Sequence, residues 1–246
     1  MELEKLAVVA IVGLLSGVLS GIGGGGGGLL MTPLFIFIGL TPQQAIGTSK
    51  MNGLGATFGG LSVFHKSGHI RWDIVKVMAP IAILIGISLP FIFNRIDSGV
   101  FQRIIGYVML ALIPVLFLKR KLPSGSGKEH RLLGYVMYSV VLFMVALFSG
   151  GIGMLANFVL TLLLGTSKLE ANATKRAVTA TIVPITFVSL LFAGYVVLSI
   201  GIIGMVAMFI GTHYGSKLAV NKGEHFATIG MAVLAGVSAL ALIFSA

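Results

Sequence analysis

The chain has 246 residues, 57% of them hydrophobic and 10% charged, with a mean hydropathy of +1.05. A soluble domain carries about 25% charged residues, so this composition excludes one and indicates a polytopic membrane protein with room for six to eight spans of about 20 residues. The net charge of +10 has no basic surface domain to carry it, which argues against a nucleic-acid partner and for cation-rich loops on one side of a membrane, while the lack of cysteine removes disulfides, thiolate metal sites and cysteine nucleophiles.

The start, Met1-Glu2-Leu3-Glu4-Lys5, mixes acids with one base and reads as part of the mature protein, without the basic leader of a secretory signal. An apolar run from Leu6 to Leu40 follows, interrupted by Ser20-Gly21-Ile22 and six consecutive glycines, Gly23 to Gly28. Each glycine inside a helix costs roughly 1 kcal/mol relative to alanine. A membrane helix is therefore expected to break here, and lipid tolerates irregular backbone only where it is buried in protein or lines a watery cavity. The competing structural readings are close helix packing through small residues and a flexible linker; packing asks for a glycine every fourth residue, not six in succession.

Further apolar segments cover Ala45 to Phe64, Ile74 to Phe93, Gly99 to Leu118, Leu132 to Phe148, Met154 to Leu164, Ala177 to Phe192, Val196 to Tyr214 and Phe226 to Phe244. The short pieces Leu6 to Leu19 and Leu29 to Leu40 flank the glycine tract, and Leu132 to Phe148 and Met154 to Leu164 flank a second break, Ser149-Gly150-Gly151-Ile152-Gly153. Both pairs read as a helix, a break and a half-helix. Folding each pair back to its own side leaves six full spans and two re-entrant hairpins.

Charge orients this arrangement. Lys119, Arg120, Lys121, Lys128 and Arg131 surround a Pro-Ser-Gly-Ser-Gly linker, which places the middle of the chain in the cytoplasm. Working outward, Lys66, Arg71, Lys76, the central five, Lys168, Lys175, Arg176, Lys217 and Lys222 fall inside, against Lys5, Lys50, Arg95 and Arg103 outside, a split of 13 to 4. Both termini come out external and the two halves antiparallel. An internal repeat agrees. An offset of 126 residues lays Gly39 on Gly165, Ala45 on Ala171 and Thr48 on Thr174, with Thr41 on Ser167, Gln44 on Glu170 and Lys50 on Arg176 as chemical matches. Thr41-Pro42-Gln43-Gln44 and Ser167-Lys168-Leu169-Glu170 both read as capping boxes that open the helix after the hairpin.

The stretch Gly21-Ile22-Gly23-Gly24-Gly25 followed by Pro33, then Ala45-Ile46-Gly47-Thr48-Ser49, returns in degenerate form as Gly150-Gly151-Ile152-Gly153 and Ala171-Asn172-Ala173-Thr174. In that order and duplication the chain resembles the TauE/SafE sulfite exporter family, also called the toluene sulfonate uptake permeases. The likeness covers nearly the whole chain, including the His65-Lys66-Ser67-Gly68 loop and the basic midpoint. It implies a bacterial-type transporter of sulfite, sulfonates or related sulfur-containing anions in the cytoplasmic membrane. Family members differ in substrate and direction; export is the reading carried here.

The residues support the same chemistry. A half-helix that starts at mid-membrane presents unpaired N–H groups and partial positive charge, and two such N-termini facing each other form an anion site. The candidate substrate-binding residues are Ser20, Gly21, Gly23, Gly24, Gly25, Thr48, Ser49, Lys50 and Asn52 from the first half, with Ser149, Gly150, Gly151, Gly153, Asn157, Thr174 and Arg176 from the second. Glycine lets backbone approach an oxyanion, hydroxyls and amides supply neutral hydrogen bonds, and Lys50 and Arg176 are the pseudo-equivalent cations. Snorkelling at the interface is the competing reading for those two, and bonding to the helix's own backbone is the competing reading for each hydroxyl.

The acids Glu2, Glu4, Asp73, Asp97, Glu129, Glu170 and Glu224 all fall in termini, loops or helix starts. A cation substrate or a carboxylate proton relay, which needs acids within the membrane, is thereby disfavoured. His213 is the one titratable side chain inside an apolar segment, either a proton carrier or a packing residue. His65, His69 and Asp73 have the spacing of metal ligands on a helix, but Ser67-Gly68 interrupts them and Lys66 and Arg71 crowd them with positive charge, so an enzyme is not expected.

The expectation is thus an all-α polytopic membrane protein of two inverted repeats, each a broken or re-entrant hairpin plus three transmembrane helices, within one domain. Repeat 1 covers about 1–121, the basic linker about 119–131 and repeat 2 about 131–246. It would be an alternating-access transporter of the inner membrane with the 119–131 loop cytoplasmic, no cofactor and no metal. A passive anion channel or a membrane-embedded enzyme are the alternatives. The expected partners are a small sulfur-containing anion (sulfite, a sulfonate or thiosulfate) and the lipid bilayer, with no nucleic acid; a homodimer is a possible assembly.

Overall fold

The computed structural model describes residues 2–23, 27–64, 68–97, 99–104, 107, 110, 131–148 and 153–222. Backbone in hydrocarbon must satisfy its own polar groups, and the apolar segments accordingly form helices: α1 (Glu2–Gly23), α2 (Gly27–Phe37), α3 (Pro42–Phe64), α4 (Trp72–Phe93), α5 (Arg131–Phe148), α6 (Gly153–Leu163), α7 (Lys168–Phe192) and α8 (Leu198–Lys222). Residues 99–104 are also helical, and no strand occurs among the described residues. Large apolar side chains such as Ile11, Leu84, Phe91, Leu132 and Phe192 are exposed on the outside of the bundle. In water that surface would be an aggregation hazard; in a bilayer it is the lipid-facing surface. The chain is an all-α, multi-pass membrane protein.

The capping boxes form as expected. Thr41 and Gln44 exchange reciprocal side-chain to backbone bonds of 3.2 and 3.3 Å ahead of α3, and Ser167 and Glu170 do the same at 3.2 and 2.7 Å ahead of α7. The repeat extends beyond these boxes. Helices α2, α3 and α4 begin 126 residues before α6, α7 and α8 respectively. The glycines with left-handed backbone keep the same offset, Gly39 (φ 103°) with Gly165 (φ 65°) and Gly68 (φ 69°) with Gly194 (φ 78°). These four close the turns after α2, α6, α3 and α7, where a side chain would strain the backbone.

The expected segmentation needs one correction. Leu6 to Leu19 is not a short piece, because α1 runs 22 residues and its Leu3–Ile22 stretch is long and apolar enough to cross a membrane. The half-helices α2 and α6, at 11 residues each or about 16 Å, are too short for a hydrocarbon core of about 30 Å. Helix α7 starts at Lys168, at the expected capping box, nine residues before the apolar segment that begins at Ala177. Its first turns hold polar residues that packing buries. Among the described residues Leu3–Ile22, Trp72–Phe93, Glu170–Phe192 and Leu198–Leu218 meet the length and composition of a span. Most of Gly99 to Leu118 and all of Phe226 to Phe244 lie outside the described residues.

Helix directions follow from contacts. Thr48 meets Val197 and Ser62 meets His213, so α3 runs parallel to α8. Gly13 faces Ala207 and Gly21 faces Ser216, so α1 is parallel to both. Arg71 meets Thr174 and Gly86 meets Ser189, so α4 and α7 are parallel to each other. Gly53 lies against Val183 and Gly60 against Arg176, which sets α3 antiparallel to α7, its match at the offset. The hairpin α1–α2 returns to its own end, with Lys5 Nζ donating to Ile38 O at 3.1 Å. The hairpin α5–α6 returns likewise, with the Cβ position of Gly134 at 2.8 Å from Leu164. The two hairpins therefore enter the bundle from opposite ends. Arg71, Lys76, Arg131 and Lys217 gather at the end where α4, α5 and α7 start, whereas Lys5 and Arg95 mark the other.

Glycine also sets the tightest seam. Gly13, Gly17 and Gly21 recur every fourth residue on α1 and meet Ala207, Gly211 and Gly215 of α8. A Cβ at Gly17 would lie 2.8 Å from Met208 O, and one at Gly21 would lie 2.6 Å from Thr212 O. Small residues here let the two backbones touch, which is how helices associate where lipid removes the hydrophobic drive. Gly21, expected in the binding site, belongs to this seam. Replacing Gly17 or Gly21 by valine is expected to destabilise the bundle by about 1–3 kcal/mol or more, measured as a lower melting temperature in detergent. Gly13→Ala, whose Cβ would meet Ala207 Cβ at 3.1 Å and backbone no nearer than Gly204 O at 3.6 Å, is expected to lower it far less.

Candidate functional site

The helix ends that flank the two hairpin turns meet at one cavity of about 130 Å³. From the first half it is lined by Ser20 at the end of α1, Gly27 and Gly28 at the start of α2, and Ser49, Lys50, Asn52, Gly53 and Thr57 along α3. From the second it is lined by Tyr138 and Val145 of α5, Gly153 at the start of α6, and Lys175, Arg176, Thr179 and Val183 of α7, with Met208 contributed by α8. Gly27 and Gly153, Ser49 and Lys175, Lys50 and Arg176, Gly53 and Thr179, and Thr57 and Val183 are pairs at the 126-residue offset. The cavity lies where the repeated elements face each other, and the N-termini of both half-helices open onto it.

Its electrostatics are one-sided. Lys50, Lys175 and Arg176 are 4%, 6% and 7% exposed, and among the described residues no carboxylate lines the cavity. Buried charge is costly unless paired and hydrogen-bonded. Part of the answer is backbone: Lys50 Nζ donates to Val145 O at 2.9 Å and Arg176 Nη2 to Ser20 O at 3.4 Å. Both carbonyls belong to the last turn of a helix, where orphan C=O groups carry the negative end of the dipole. Each cation thus reaches across to the first helix of the other half. Gly60 makes room for Arg176, since its Cβ position would lie 2.7 Å from the guanidinium carbon. Asn52, 1% exposed, and Tyr138, fully buried, present side-chain polar atoms with no hydrogen-bond partner among the described residues. Three cations, two half-helix N-termini and neutral donors around a small cavity favour an anion. The volume is well below that of sites for drug-sized ligands.

The expected site residues divide into four groups. Ser20, Ser49, Lys50, Asn52, Gly153 and Arg176 come together at the cavity. Gly24, Gly25, Ser149, Gly150 and Gly151 lie outside the described residues, and Gly23 is the last residue of α1. Thr48 and Thr174 hold helices together instead. Thr48 Oγ1 accepts from Val197 N at 3.1 Å and Thr174 Oγ1 from Arg71 N at 3.0 Å. These are matching bonds at the offset, each tying the start of the other half's last described helix, α8 or α4. Asn157 is buried on α6, one turn beyond the cavity-lining Gly153. The interfacial snorkelling reading fails for Lys50 and Arg176, which are buried.

Sequence reasoning missed Lys175 and Tyr138. Lys175 lies next to Arg176 and at the offset from Ser49, a signal that was available; Tyr138 replaces Val12 in an apolar segment and carries none. The acids with described partners have structural roles. Asp73 pairs with Arg71 at 2.7 Å on the surface, Asp97 accepts from Gly99 N and Val100 N, and Glu170 closes its capping box. His213 bonds Ser62 at 3.2 Å and stacks on Phe209, the arrangement of a packing residue. Of the histidine pair considered for metal, His65 lies outside the described residues.

A lipid-facing helical bundle with half-helices around a central cavity that holds buried cations is the architecture of a membrane transporter, not of an enzyme. The family model for the sulfite exporter TauE/SafE matches residues 9–242, and the chain belongs to that family. It is 24% identical over 229 residues to a "Probable membrane transporter protein" of Haemophilus influenzae, covering 90% of this chain and 88% of the relative. It is 22% identical over 243 residues to the "Probable membrane transporter protein YfcA" of Escherichia coli, covering 97% and 90%. A "Probable membrane transporter protein YjnA" of Bacillus subtilis is 33% identical over 163 residues, covering 60% and 64%. No solved structure matches the chain.

The two threonine bonds give a direct expectation. Thr48→Val and Thr174→Val are each expected to cost about 1 kcal/mol of stability, seen as a lower melting temperature, while equilibrium anion affinity stays at the wild-type value. A selective loss of affinity without loss of stability would return these residues to the binding site.

Proposed function

We propose that this protein moves a small sulfur-containing anion (sulfite, a sulfonate or thiosulfate) out across the cytoplasmic membrane, by alternating access around the cavity between the hairpin tips. The observation that carries the reading is the set of three buried cations, Lys50, Lys175 and Arg176, around a small cavity with no lining carboxylate. Such a cavity attracts anions and repels cations. The sulfur chemistry rests on the family to which the chain belongs.

In this reading the substrate-binding residues are Ser20, Ser49, Lys50, Asn52, Gly153 and Arg176, joined by Lys175 and Tyr138. Repeat 1 covers about 1–121, the linker about 119–131 and repeat 2 about 131–246. The halves act as inverted repeats that rock or gate around the fixed site. The basic end of the bundle faces the cytoplasm together with the 119–131 loop, in keeping with the positive-inside bias.

The test is uptake of labelled sulfite, thiosulfate and methanesulfonate into proteoliposomes, with a cation control. Saturable uptake of at least one anion and none of the cation is expected. Lys50→Ala and Arg176→Ala are each expected to lower uptake at sub-saturating anion about 10- to 100-fold, the range for losing one hydrogen bond to a charged group, with the protein still monodisperse. Wild-type uptake by both variants, or transport of the cation, would contradict the assignment.

A further inference from the structure

The half-helices α2 and α6 match at the 126-residue offset, yet their inward faces differ in chemistry. On α6, Gly153 lines the cavity, and the residues four and eight further on, which share its face, are Asn157 and Thr161. On α2, Gly27 and Met31 line the cavity, and the next residue on that face, Phe35, is fully buried and apolar. Asn157 Oδ1 and Thr161 Oγ1 have no hydrogen-bond partner among the described residues, although the two residues are only 8% and 1% exposed. The same holds for Thr166 Oγ1 and Asn172 Oδ1, which follow where α6 passes into α7.

A threonine in an apolar helix ordinarily returns its hydroxyl to the carbonyl one turn back. Thr179 and Thr186 do so here, at 2.8 Å to Lys175 O and 2.9 Å to Ile182 O. Thr161 does not, and buried polar atoms are rarely left without a partner. Of the other unpartnered hydroxyls, that of Tyr138 belongs to the cavity wall, and those of Ser16, Thr212 and Ser216 belong to α1 and α8, whose seam leaves no room for even an added methyl at Gly17 or Gly21.

We propose that the Asn157–Thr161 face of α6, continued by Thr166 and Asn172, is a hydrated route joining the cavity to the basic end of the bundle, and that Phe35, one turn beyond the cavity-lining Met31, closes the corresponding route along α2. Direction and charge agree with this. Helix α6 runs from the cavity toward the end where α7 begins, among Arg71, Lys76, Arg131 and Lys217, a mouth that concentrates anions. The route rests on the proposed function for its solute, but its hydration does not depend on that reading.

The chain has no cysteine, so single cysteines report without background. Asn157→Cys, Thr161→Cys and Phe35→Cys are made in the full chain, checked for monodispersity, and exposed in proteoliposomes to an anionic, membrane-impermeant thiosulfonate. The cysteines at 157 and 161 are expected to react roughly tenfold or more faster than that at 35, because only a hydrated thiol ionises and meets the reagent. Methanesulfonate, which leaves the reagent intact, is expected to slow the reaction at 157 and 161. Equal reactivity at all three positions, or none at 157 and 161, overturns the route. Fast reaction at 157 and 161 without slowing by methanesulfonate upholds the hydrated route and counts against the anion reading instead. If a cysteine variant does not fold, Thr161→Val keeps the shape and removes the hydroxyl. It is expected to slow anion uptake several-fold with equilibrium binding of methanesulfonate unchanged, and unchanged uptake would overturn the route.

Discussion

Three cations held under a tenth exposed, with no acid beside their cavity, are the constraint around which this structure is arranged. Two of them are stabilised by helix ends: Lys50 by the carbonyl of Val145 and Arg176 by that of Ser20. These bonds exist only because each half lends the end of its first helix to the cation of the other. The hairpin tips must therefore sit at the centre of the bundle, and the helices that carry them must pack closely enough to reach it. The glycine seam between α1 and α8 serves that requirement, since Gly17 and Gly21 bring the backbones into contact. An anion in the cavity would compete with Val145 O and Ser20 O for the same cations. In the proposed transport cycle, anion binding and the docking of these helix ends would draw on one set of donors, which is what a gate around a fixed site needs.

The duplication is closer in backbone than in side chains. Helix starts, left-handed glycines, capping boxes and the Thr48 and Thr174 bonds keep one offset. Around the cavity the pairs diverge, with Ser49 against Lys175 and Gly53 against Thr179. Shared backbone preserves the way the halves meet, whereas unlike side chains give the site a cation-rich wall on α7. The same divergence separates the polar face of α6 from the apolar face of α2.

Much of the fold is legible in the sequence because glycine and hydropathy speak directly to backbone in lipid. The end of α1 at Gly23, the starts of the short helices at Gly27 and Gly153 and both capping boxes follow from local chemistry. The start of α7 is legible in its capping box, but the burial of Lys175 and Arg176 is not, because they are accommodated by a tertiary cavity that no hydropathy window contains. Thr48 and Thr174 stand out as a repeat, but their role does not, since pairing at an offset marks a shared constraint without saying whether backbone or ligand imposes it. Gly21 reads with the glycine tract beside it, although its spacing with Gly13 and Gly17 already describes a packing seam. Tyr138 stands in an apolar segment like any lipid-facing or core tyrosine, and only the fold brings it to the cavity.

The most direct test of the central claim is to locate a bound anion. Selenite has the shape and charge of sulfite with an anomalous scatterer at its centre, so crystals of the protein grown with it report its position without ambiguity. The account predicts one selenium peak between Gly27 and Gly153, within hydrogen-bonding reach of Lys50, Lys175 or Arg176. An anomalous peak only at the surface, with the cavity closed by its own side chains, would contradict it.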